Sequence, residues 1–202
     1  MNRPPPNPSY QRPVSLNDWD LVQQARGGDR AAFRVLVERY QGKIAGLALG
    51  ILRSRDDALD IVQETFVKAY QNLARFKGES GFYTWVYRIA YNLCIDAQRR
   101  ETKIAAVPLP TTEKGEEAML GAPEGPAPDQ PFEHAQSAEV GARVKQAIAE
   151  LTPEHQAVIL LREVDGLSYE EISEVIGCPK GTVMSRLHYA RQLLRARLKE
   201  LR

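Results

Sequence analysis

The chain of 202 residues is poor in the side chains that build metal centres and disulfide frameworks. It has two cysteines, Cys94 and Cys178, and three histidines, and none of them stand at a spacing typical of metal ligands. Because the two cysteines lie far apart in the sequence, we expect reduced, buried thiols, as in a cytoplasmic protein. We expect neither a metal nor a cofactor.

The sequence also lacks any apolar run long enough to cross a membrane, and its proline-rich start does not resemble a signal peptide. It contains no phosphate-cradling glycine loop and no combination of nucleophile, base and acid typical of an active site. These absences predict a protein that is not an enzyme and has neither catalytic residues nor a small-molecule substrate.

Opposite charges are concentrated in different parts of the chain, although the net charge is only +1. Residues 180–202 contain seven basic residues and one acidic residue, whereas residues 101–137 contain seven acidic residues and two lysines. The basic segment indicates a polyanionic partner, although a charge run can also be the solvated face of a helix.

Composition and apolar periodicity divide the chain into four parts. Residues 1–15 are rich in proline and polar side chains, which predicts a disordered tail. Residues 101–137 have no sustained apolar period, which predicts a flexible acidic linker. Elsewhere apolar residues repeat at the helical period, and no segment has a convincing strand pattern. We therefore predict an all-α protein with two small helical domains, residues 16–100 and 138–202.

Capping residues predict where the helices of the first domain begin. Ser15 would cap the first helix and Asp29 the second. A separate helix is expected over residues 43–52. Ser80 would cap a long helix over residues 82–100.

The clearest amphipathic helix is predicted over residues 57–72. Its apolar face is expected to consist of Leu59, Val62, Phe66 and Tyr70. Its polar face consists of Asp57, Asp60, Glu64 and Lys68. The first half of this polar face is therefore acidic.

Two helices separated by a tight turn are predicted near the C-terminus. Ser168 and Glu171 match a capping box, and Gly177 supplies the backbone conformation that ends the first helix. The second helix would bury Val183, Leu187, Ala190 and Leu194. Its remaining surface is basic and polar, which is the layout of a helix-turn-helix that enters the major groove of DNA. A plain helical hairpin within a bundle is the alternative interpretation.

The helix FYTWVYRIAYNLCIDAQRR is unusually rich in aromatic residues. One stripe along it consists of Phe82, Val86, Ile89 and Leu93. A second stripe consists of Tyr83, Tyr87 and Tyr91. Aromatic and basic side chains together can stack on unpaired bases, which predicts that this helix and the preceding loop, residues 77–80, bind single-stranded DNA. Alternatively, the tyrosines pack on neighbouring helices with their hydroxyl groups at the rim.

Three blocks of sequence resemble the extracytoplasmic-function (ECF, group IV) sigma factors of the bacterial sigma-70 family. They are DALDIVQETFVKAY, FKGESGFYTWVYRIAYNLCID and ELTPEHQAVILLREVDGLSYEEISEVIGCPKGTVMSRLHYAR. The resemblance extends over residues 16–198 apart from the linker, with the blocks in the order and spacing of that family. It implies that residues 16–100 are the family's region 2 domain and residues 138–202 its region 4 domain.

The resemblance also implies a function and partners. Such a protein binds core RNA polymerase through the β′ clamp helices and the β flap, and directs it to promoters by their −10 and −35 elements. It promotes DNA melting, so the promoter DNA it binds is duplex at −35 and single-stranded at −10. A membrane-associated anti-sigma factor that holds the protein inactive until a stress signal is expected, with the protein itself in the cytoplasm.

The resemblance assigns roles to residues at three places in this sequence. Core polymerase would bind Asp57, Asp60, Gln63, Glu64 and Phe66. The −10 element would be read and melted by Phe76, Lys77, Ser80, Phe82, Tyr83, Trp85, Arg88, Asn92 and Arg99. The −35 element would be read by the helix-turn-helix, residues 168–187, and its flanks, through Arg162, Lys180, Thr182, Ser185, Arg186, His188, Tyr189 and Arg191.

Two positions beside the expected base-reading face depart from the family pattern. Met184 and Tyr189 occupy positions that are commonly basic in the family, whereas Ser185 and Arg186 follow the pattern. The −35 sequence preference therefore cannot be copied from a relative.

Two other functions remain open on the sequence. The first is a conventional helix-turn-helix regulator that binds duplex DNA as a dimer on a palindrome. The second is an RNA-binding module that uses the aromatic helix and has no promoter dependence. A sigma factor would instead be a monomer that binds DNA weakly until polymerase is present. The acidic face of residues 57–64 favours the sigma factor, because neither alternative requires it.

Overall fold

The computed structural model describes residues 17–105, 141, 143–144 and 146–200. All regular structure within these residues is helical, which confirms the predicted all-α class. The predicted N-terminal tail and most of the predicted linker lie outside the described residues. We call the helices within residues 17–105 the N-terminal group and the helices that follow position 140 the C-terminal group.

The N-terminal group consists of α1 (Asp18–Arg26), α2 (Arg30–Leu52), α3 (Arg55–Asn72), a short 3-10 turn (Leu73–Arg75) and α4 (Phe82–Ala105). The C-terminal group consists of helical residues within 141–149 (α5), α6 (Pro153–Ile159), a π-helical turn (Leu160–Val164), α7 (Tyr169–Ile176) and α8 (Lys180–Glu200).

The N-terminal caps differ in part from the predicted ones. Asn17 caps α1 by accepting a hydrogen bond from the Asp20 amide at 2.8 Å, and Ser15 lies outside the described residues. Asp29 caps α2 as predicted. The predicted break before residue 43 is wrong, because α2 continues without interruption to Leu52.

The predicted apolar face of α3 is wrong for two of its four residues, because Phe66 is buried and Val62 is half-buried but Leu59 and Tyr70 are exposed. Leu59 and Tyr70 are 56% and 45% exposed, and the buried face is formed by Ala58, Ile61, Thr65, Phe66 and Ala69. The small side chains on this face let α3 pack closely on α2 and α4. Apolar size alone therefore misplaced the stripe by about one residue, or ~100° of rotation around the helix.

The helix-turn-helix has the predicted local structure. The Ser168 amide donates to Oε2 of Glu171 at 2.7 Å, and the Glu171 amide donates to the Ser168 hydroxyl at 3.2 Å. Gly177 ends α7 with φ 73°, in the left-handed region that glycine adopts without strain. The predicted Val183 and Leu187 are buried in α8, where they pack within the C-terminal group.

The two groups pack against each other and share one continuous apolar core. Tyr87 and Tyr91 of α4 are 1% and 6% exposed, so the packing interpretation of the tyrosine stripe is confirmed for these two residues. The α2 backbone approaches the π-helical turn so closely that a methyl group added at Gly50 would overlap Cδ1 of Leu160. Nothing in the sequence patterns indicated this contact.

Candidate nucleic-acid and polymerase interfaces

The exposed side of α3 combines acidic and apolar side chains. The four predicted polymerase contacts that are exposed there are Asp57, Asp60, Gln63 and Glu64. Leu59 and Val67 are exposed beside them, and Glu64 forms a 2.8 Å ion pair with Lys68. An exposed apolar patch with a charged rim is typical of a protein-binding surface. Phe66 does not belong to this surface, because it is only 6% exposed and faces the core.

A cleft of about 360 Å³ lies between the loop that precedes α4 and the start of that helix. Its walls are Arg75, Phe76, Lys77, Gly78, Glu79, Ser80, Trp85, Arg88 and Glu174. The volume is within the range of small-ligand sites. Glu174 belongs to α7, so the C-terminal group contributes an acidic side chain to an otherwise mainly basic rim.

Phe76 and Trp85 line the cleft and belong to a cluster of three aromatic rings, whose third member, Phe82, lies behind them in the core. The centroids of Phe76 and Trp85 are 4.9 Å apart, and Phe82 lies 5.7 Å from Trp85. Phe76 and Phe82 are buried, and their contact with DNA stays a prediction. Their burial supports Trp85, which is half-buried and faces the cleft.

The other predicted −10 residues differ in accessibility. Lys77, Arg88, Asn92 and Arg99 are exposed. Ser80 and Tyr83 are half-buried, and Tyr83 lies where α4 meets the C-terminal group. The structure therefore brings Lys77, Ser80, Trp85 and Arg88 together in one cleft and leaves Asn92 and Arg99 further along the same helix.

Two residues of α1 hold the loop before α4, and the sequence analysis missed both. Nε of Arg26 donates to the Leu73 carbonyl at 2.9 Å, and its Nη2 donates to the Phe76 carbonyl. The Trp19 ring packs directly against Gly78. The contacts join residues 47 to 59 positions apart, and no local sequence pattern indicates such a pairing.

The helix-turn-helix presents its polar side chains on α8. Lys180, Ser185, His188 and Tyr189 are exposed, and Thr182 is half-buried. Met184 is 51% exposed among them. Lys180 forms an ion pair with Glu170 of α7, which lowers the pKa of that carboxyl group.

The arginines at three predicted −35 positions also contact other residues of the protein. Nη1 of Arg162 donates to the Leu167 carbonyl at 2.6 Å, and its guanidinium lies 4.9 Å from the centre of the Tyr169 ring. Arg191 donates twice to the Glu163 carboxylate, at 2.6 and 3.0 Å. Arg186 is half-buried, with Nη1 4.0 Å from the sulfur of Cys178. DNA binding by these arginines would compete with the contacts that hold the helix-turn-helix together.

Titratable groups lie where the two groups of helices meet. Burial raises the pKa of Asp165, although the Tyr87 hydroxyl and Lys43 oppose the shift. Burial, reinforced by the charge of Asp165, raises the pKa of Tyr87 in turn. Within the described part of the chain, the buried Tyr87 hydroxyl has no hydrogen-bond partner of standard geometry.

The pKa values of His155 and Cys94 are also shifted from their ordinary values. Burial, followed by the positive charge of Arg186, lowers the pKa of His155, whose ring also contacts Tyr189 at 5.0 Å between centroids. Burial raises the pKa of the Cys94 thiol to about 12, so this thiol stays protonated at neutral pH.

The described residues contain neither a group of side chains that could hold a metal ion nor a helix that could span a membrane. Histidine, cysteine and acidic side chains form no cluster there that could hold a metal ion. None of the helices described is both long enough and apolar enough to span a membrane.

Comparison with known proteins shows the family. The chain matches the family model of Sigma-70 region 2 over residues 36–104 and that of Sigma-70, region 4 over residues 142–194. It is 40% identical over 189 residues to the ECF RNA polymerase sigma-E factor of Haemophilus influenzae, covering 92% of this chain and 97% of that protein. It is 37% identical to the RNA polymerase sigma-H factor of Pseudomonas aeruginosa, covering 91% and 95% of the two chains.

A solved structure agrees with this assignment. The structure of CnrH in complex with the cytosolic domain of CnrY aligns with a TM-score of 0.63 at 26% identity, covering 91% of this chain and 97% of CnrH. The chain therefore belongs to the ECF sigma factors of the sigma-70 family. Members of this family are transcription initiation factors and not enzymes, as the sequence analysis predicted.

Proposed function

We propose that this sigma factor reads its promoter with two surfaces of different kind. The cleft beside α4 captures a nucleotide of the melted −10 strand, and the exposed side of α8 reads the −35 duplex. The observation that carries the proposal is the cleft itself, in which the half-buried Trp85 lies among three basic and two acidic side chains, those of Arg75, Lys77, Arg88, Glu79 and Glu174.

The chemistry of the cleft fits an unpaired nucleotide. Lys77 and Arg88 provide the positive charge that attracts phosphate groups without reading sequence. Trp85 offers a face for base stacking, which contributes about 1–3 kcal/mol per base. The Ser80 hydroxyl can donate to or accept from a base edge once the base has left the stack.

The acidic and apolar side of α3 is the proposed docking site for core polymerase. Its exposed carboxylates at Asp57, Asp60 and Glu64 suit a basic partner surface, and exposed Leu59 and Val67 supply apolar contact. The expected partner is the β′ clamp helices. Contact between the region 4 domain and the β flap is a further part of the proposal and rests on family membership alone.

The proposed −35 surface consists of the exposed part of α8. Lys180 can donate to base edges or phosphates in the major groove, and the Ser185 hydroxyl, which donates to the Thr182 carbonyl at 3.0 Å, can accept a hydrogen bond there. Exposed Met184 offers an apolar surface where the family commonly has a basic residue, which favours contact with a thymine methyl group over contact with a phosphate. The ends of the predicted domains at residues 16, 100, 138 and 202 remain part of this proposal.

We further propose regulation by an anti-sigma factor in a stress response. CnrH was solved with the cytosolic domain of CnrY, which indicates a partner that also has a part outside the cytosol. A membrane-associated inhibitor of this chain, and a cytoplasmic location for the chain itself, follow from that precedent and from the need to reach RNA polymerase. Recovery of the chain from unstressed cells without such a partner would count against this part of the proposal.

The first experiment adds the purified chain to bacterial core RNA polymerase and sequences run-off transcripts from fragmented genomic DNA. We expect discrete start sites that share two upstream motifs. Absence of new starts, with binding of duplex DNA by the chain alone as a dimer, would support the conventional regulator instead. Binding of single strands without promoter dependence would support the RNA-binding module.

A further inference from the structure

The loop before α4 is held from outside by a helix that the region 2 family match does not include. That match covers residues 36–104, whereas α1 spans Asp18–Arg26. α1 is itself fastened to α2, because the Asp18 carboxylate accepts hydrogen bonds from Arg39 and from the Tyr40 hydroxyl. α1 is thus a fixed support and not a frayed end.

Arg26 fixes the segment that leads into the loop. Its guanidinium donates hydrogen bonds to three backbone carbonyls just before the loop, those of Leu73, Ala74 and Phe76. Charge-assisted hydrogen bonds of this kind are stronger than neutral ones. They hold the backbone of residues 73–76, which carries the cleft residue Arg75.

Trp19 fixes the tip of the same loop. Its ring lies on the Cα of Gly78, where an added methyl group would be 2.8 Å from Cη2 and would overlap Cζ3. Gly78 has φ 76°, so both its backbone conformation and the space beside it require glycine. Trp19 also lies 6.3 Å from the Phe76 ring, yet it remains 46% exposed, which is unusual for so large an apolar residue.

We propose that Trp19 and Arg26 are positioning residues for −10 strand capture, an inference that rests on the proposed function of the cleft. They act through the backbone of residues 73–78 and set the positions of Lys77 and Ser80 relative to Trp85 before DNA arrives. A loop that is already ordered loses less conformational freedom on binding, so its affinity for the strand is higher.

The test uses the full-length chain bound to core RNA polymerase and a random-sequence library of single-stranded DNA. The sequences that the complex enriches are determined, and the affinity of each variant for them is then measured. Trp19→Ala and Arg26→Ala are compared with Trp19→Phe, which keeps a ring over Gly78. Val35→Ala is the matched control, because it removes a similarly exposed apolar side chain from α2. A duplex library scores the −35 motif in parallel.

We expect Trp19→Ala and Arg26→Ala to weaken binding of the enriched strand about tenfold, as loss of order in two or three loop side chains implies. Trp19→Phe should recover most of the loss. The affinities for core polymerase and for the duplex motif should stay near those of Val35→Ala, whereas the thermal midpoint of Arg26→Ala should fall because its three hydrogen bonds are lost. A general folding defect would lower all of these together.

A double-mutant cycle with Gly78→Ala tests whether Trp19 acts through Gly78. Gly78→Ala should cost less affinity in the Trp19→Ala background, because the steric overlap is gone and only the backbone strain remains. The chain's two tryptophans, Trp19 and Trp85, both border this loop, so intrinsic fluorescence reports its occupancy without a label. In the free chain carrying Trp19→Phe, which is measured without polymerase, the signal comes from Trp85 alone.

Two outcomes have distinct meanings. If the wild-type holoenzyme enriches no single-stranded motif, the proposed function of the cleft is wrong. If it enriches a motif and Trp19→Ala binds that motif as tightly as Val35→Ala does, or if the cycle shows no coupling to Gly78, the positioning role is wrong.

Discussion

The two surfaces proposed to bind DNA are constructed in opposite ways. The cleft of the N-terminal group is concave and assembled from α1, the loop before α4, α4 itself and Glu174 of the C-terminal group. The −35 surface is convex and comes from one regular helix, α8, whose side chains project into solvent. An unpaired base has to be enclosed to be read, whereas a duplex groove needs only a protruding helix.

This contrast determines how each surface can fail. The cleft depends on contacts between residues far apart in the sequence, so it can be lost while every helix survives. The surface of α8 depends on a capping box and a left-handed glycine within ten residues of each other. Four predictions use this difference, in order of decreasing effect.

Removing the buried ring that supports the cleft from behind should produce the largest effect. Phe82→Ala deletes a side chain that is 3% exposed and packs on Phe76 and Trp85, so the free energy of unfolding should fall by about 3–5 kcal/mol. Leu59→Ala, at an exposed position, should change it by less than about 1 kcal/mol. Chemical denaturation of the free chain measures both. Equal losses would mean that the aromatic cluster is not part of the core.

Paired substitutions should separate the two surfaces. Trp85→Ala should weaken binding of a single-stranded −10 oligonucleotide by the holoenzyme about 10- to 100-fold, because one stacking face is lost. Ser185→Ala should leave that binding unchanged and weaken −35 duplex binding about tenfold. Filter binding with both probes measures this. Similar losses on both probes from either variant would show that the surfaces do not act separately.

Glu174 should weaken strand capture in the free chain. Glu174→Gln removes a negative charge from the rim of a basic cleft, so affinity for single-stranded DNA should rise about two- to fivefold at low salt. The gain should fade as salt screens the cleft. Glu38→Gln, which removes an exposed carboxylate from α2, is the control. An equal gain from the control would show that the effect comes from the net charge of the chain and not from the position of Glu174.

The pH dependence of stability should show a small contribution from His155. Its pKa is lowered in the folded state, so the unfolded chain binds the proton more readily and stability falls as pH drops through about 6.5. Glu154 opposes the shift, and Arg186 and burial favour it. His155→Gln should flatten the slope of unfolding free energy below pH 6.5 relative to wild type. An unchanged slope would assign that pH dependence to other groups.

Local features were predictable from the sequence, and long-range ones were not. The capping box at Ser168 and the helix stop at Gly177 follow from residues a few positions apart, and both are confirmed. The all-α class follows from periodicity. By contrast, the buried face of α3 was misplaced because Ala58 and Ala69 carry little apolar weight in a sequence pattern but decide how closely helices can pack.

The candidate site was predicted only in outline. Lys77, Ser80, Trp85 and Arg88 do meet in one cleft, whereas Phe76 and Phe82, which were also expected at the DNA, are buried. An aromatic residue in a binding loop gives no sign in the sequence of whether its ring faces the ligand or supports a neighbour. The contributions of Trp19, Arg26 and Glu174 depend on the tertiary arrangement, which no spacing encodes.

The shared core of the two helix groups bears on how the protein could be divided. A chain cut between residues 105 and 141 would leave Tyr87 and Tyr91 on one fragment and Leu167 on the other, each stripped of apolar cover. When mixed in vitro, the two fragments should associate and refold together without a peptide linkage. Leu160 packs against Gly50 in the space that a side chain there would occupy. A larger residue at position 50 should therefore prevent the two fragments from associating.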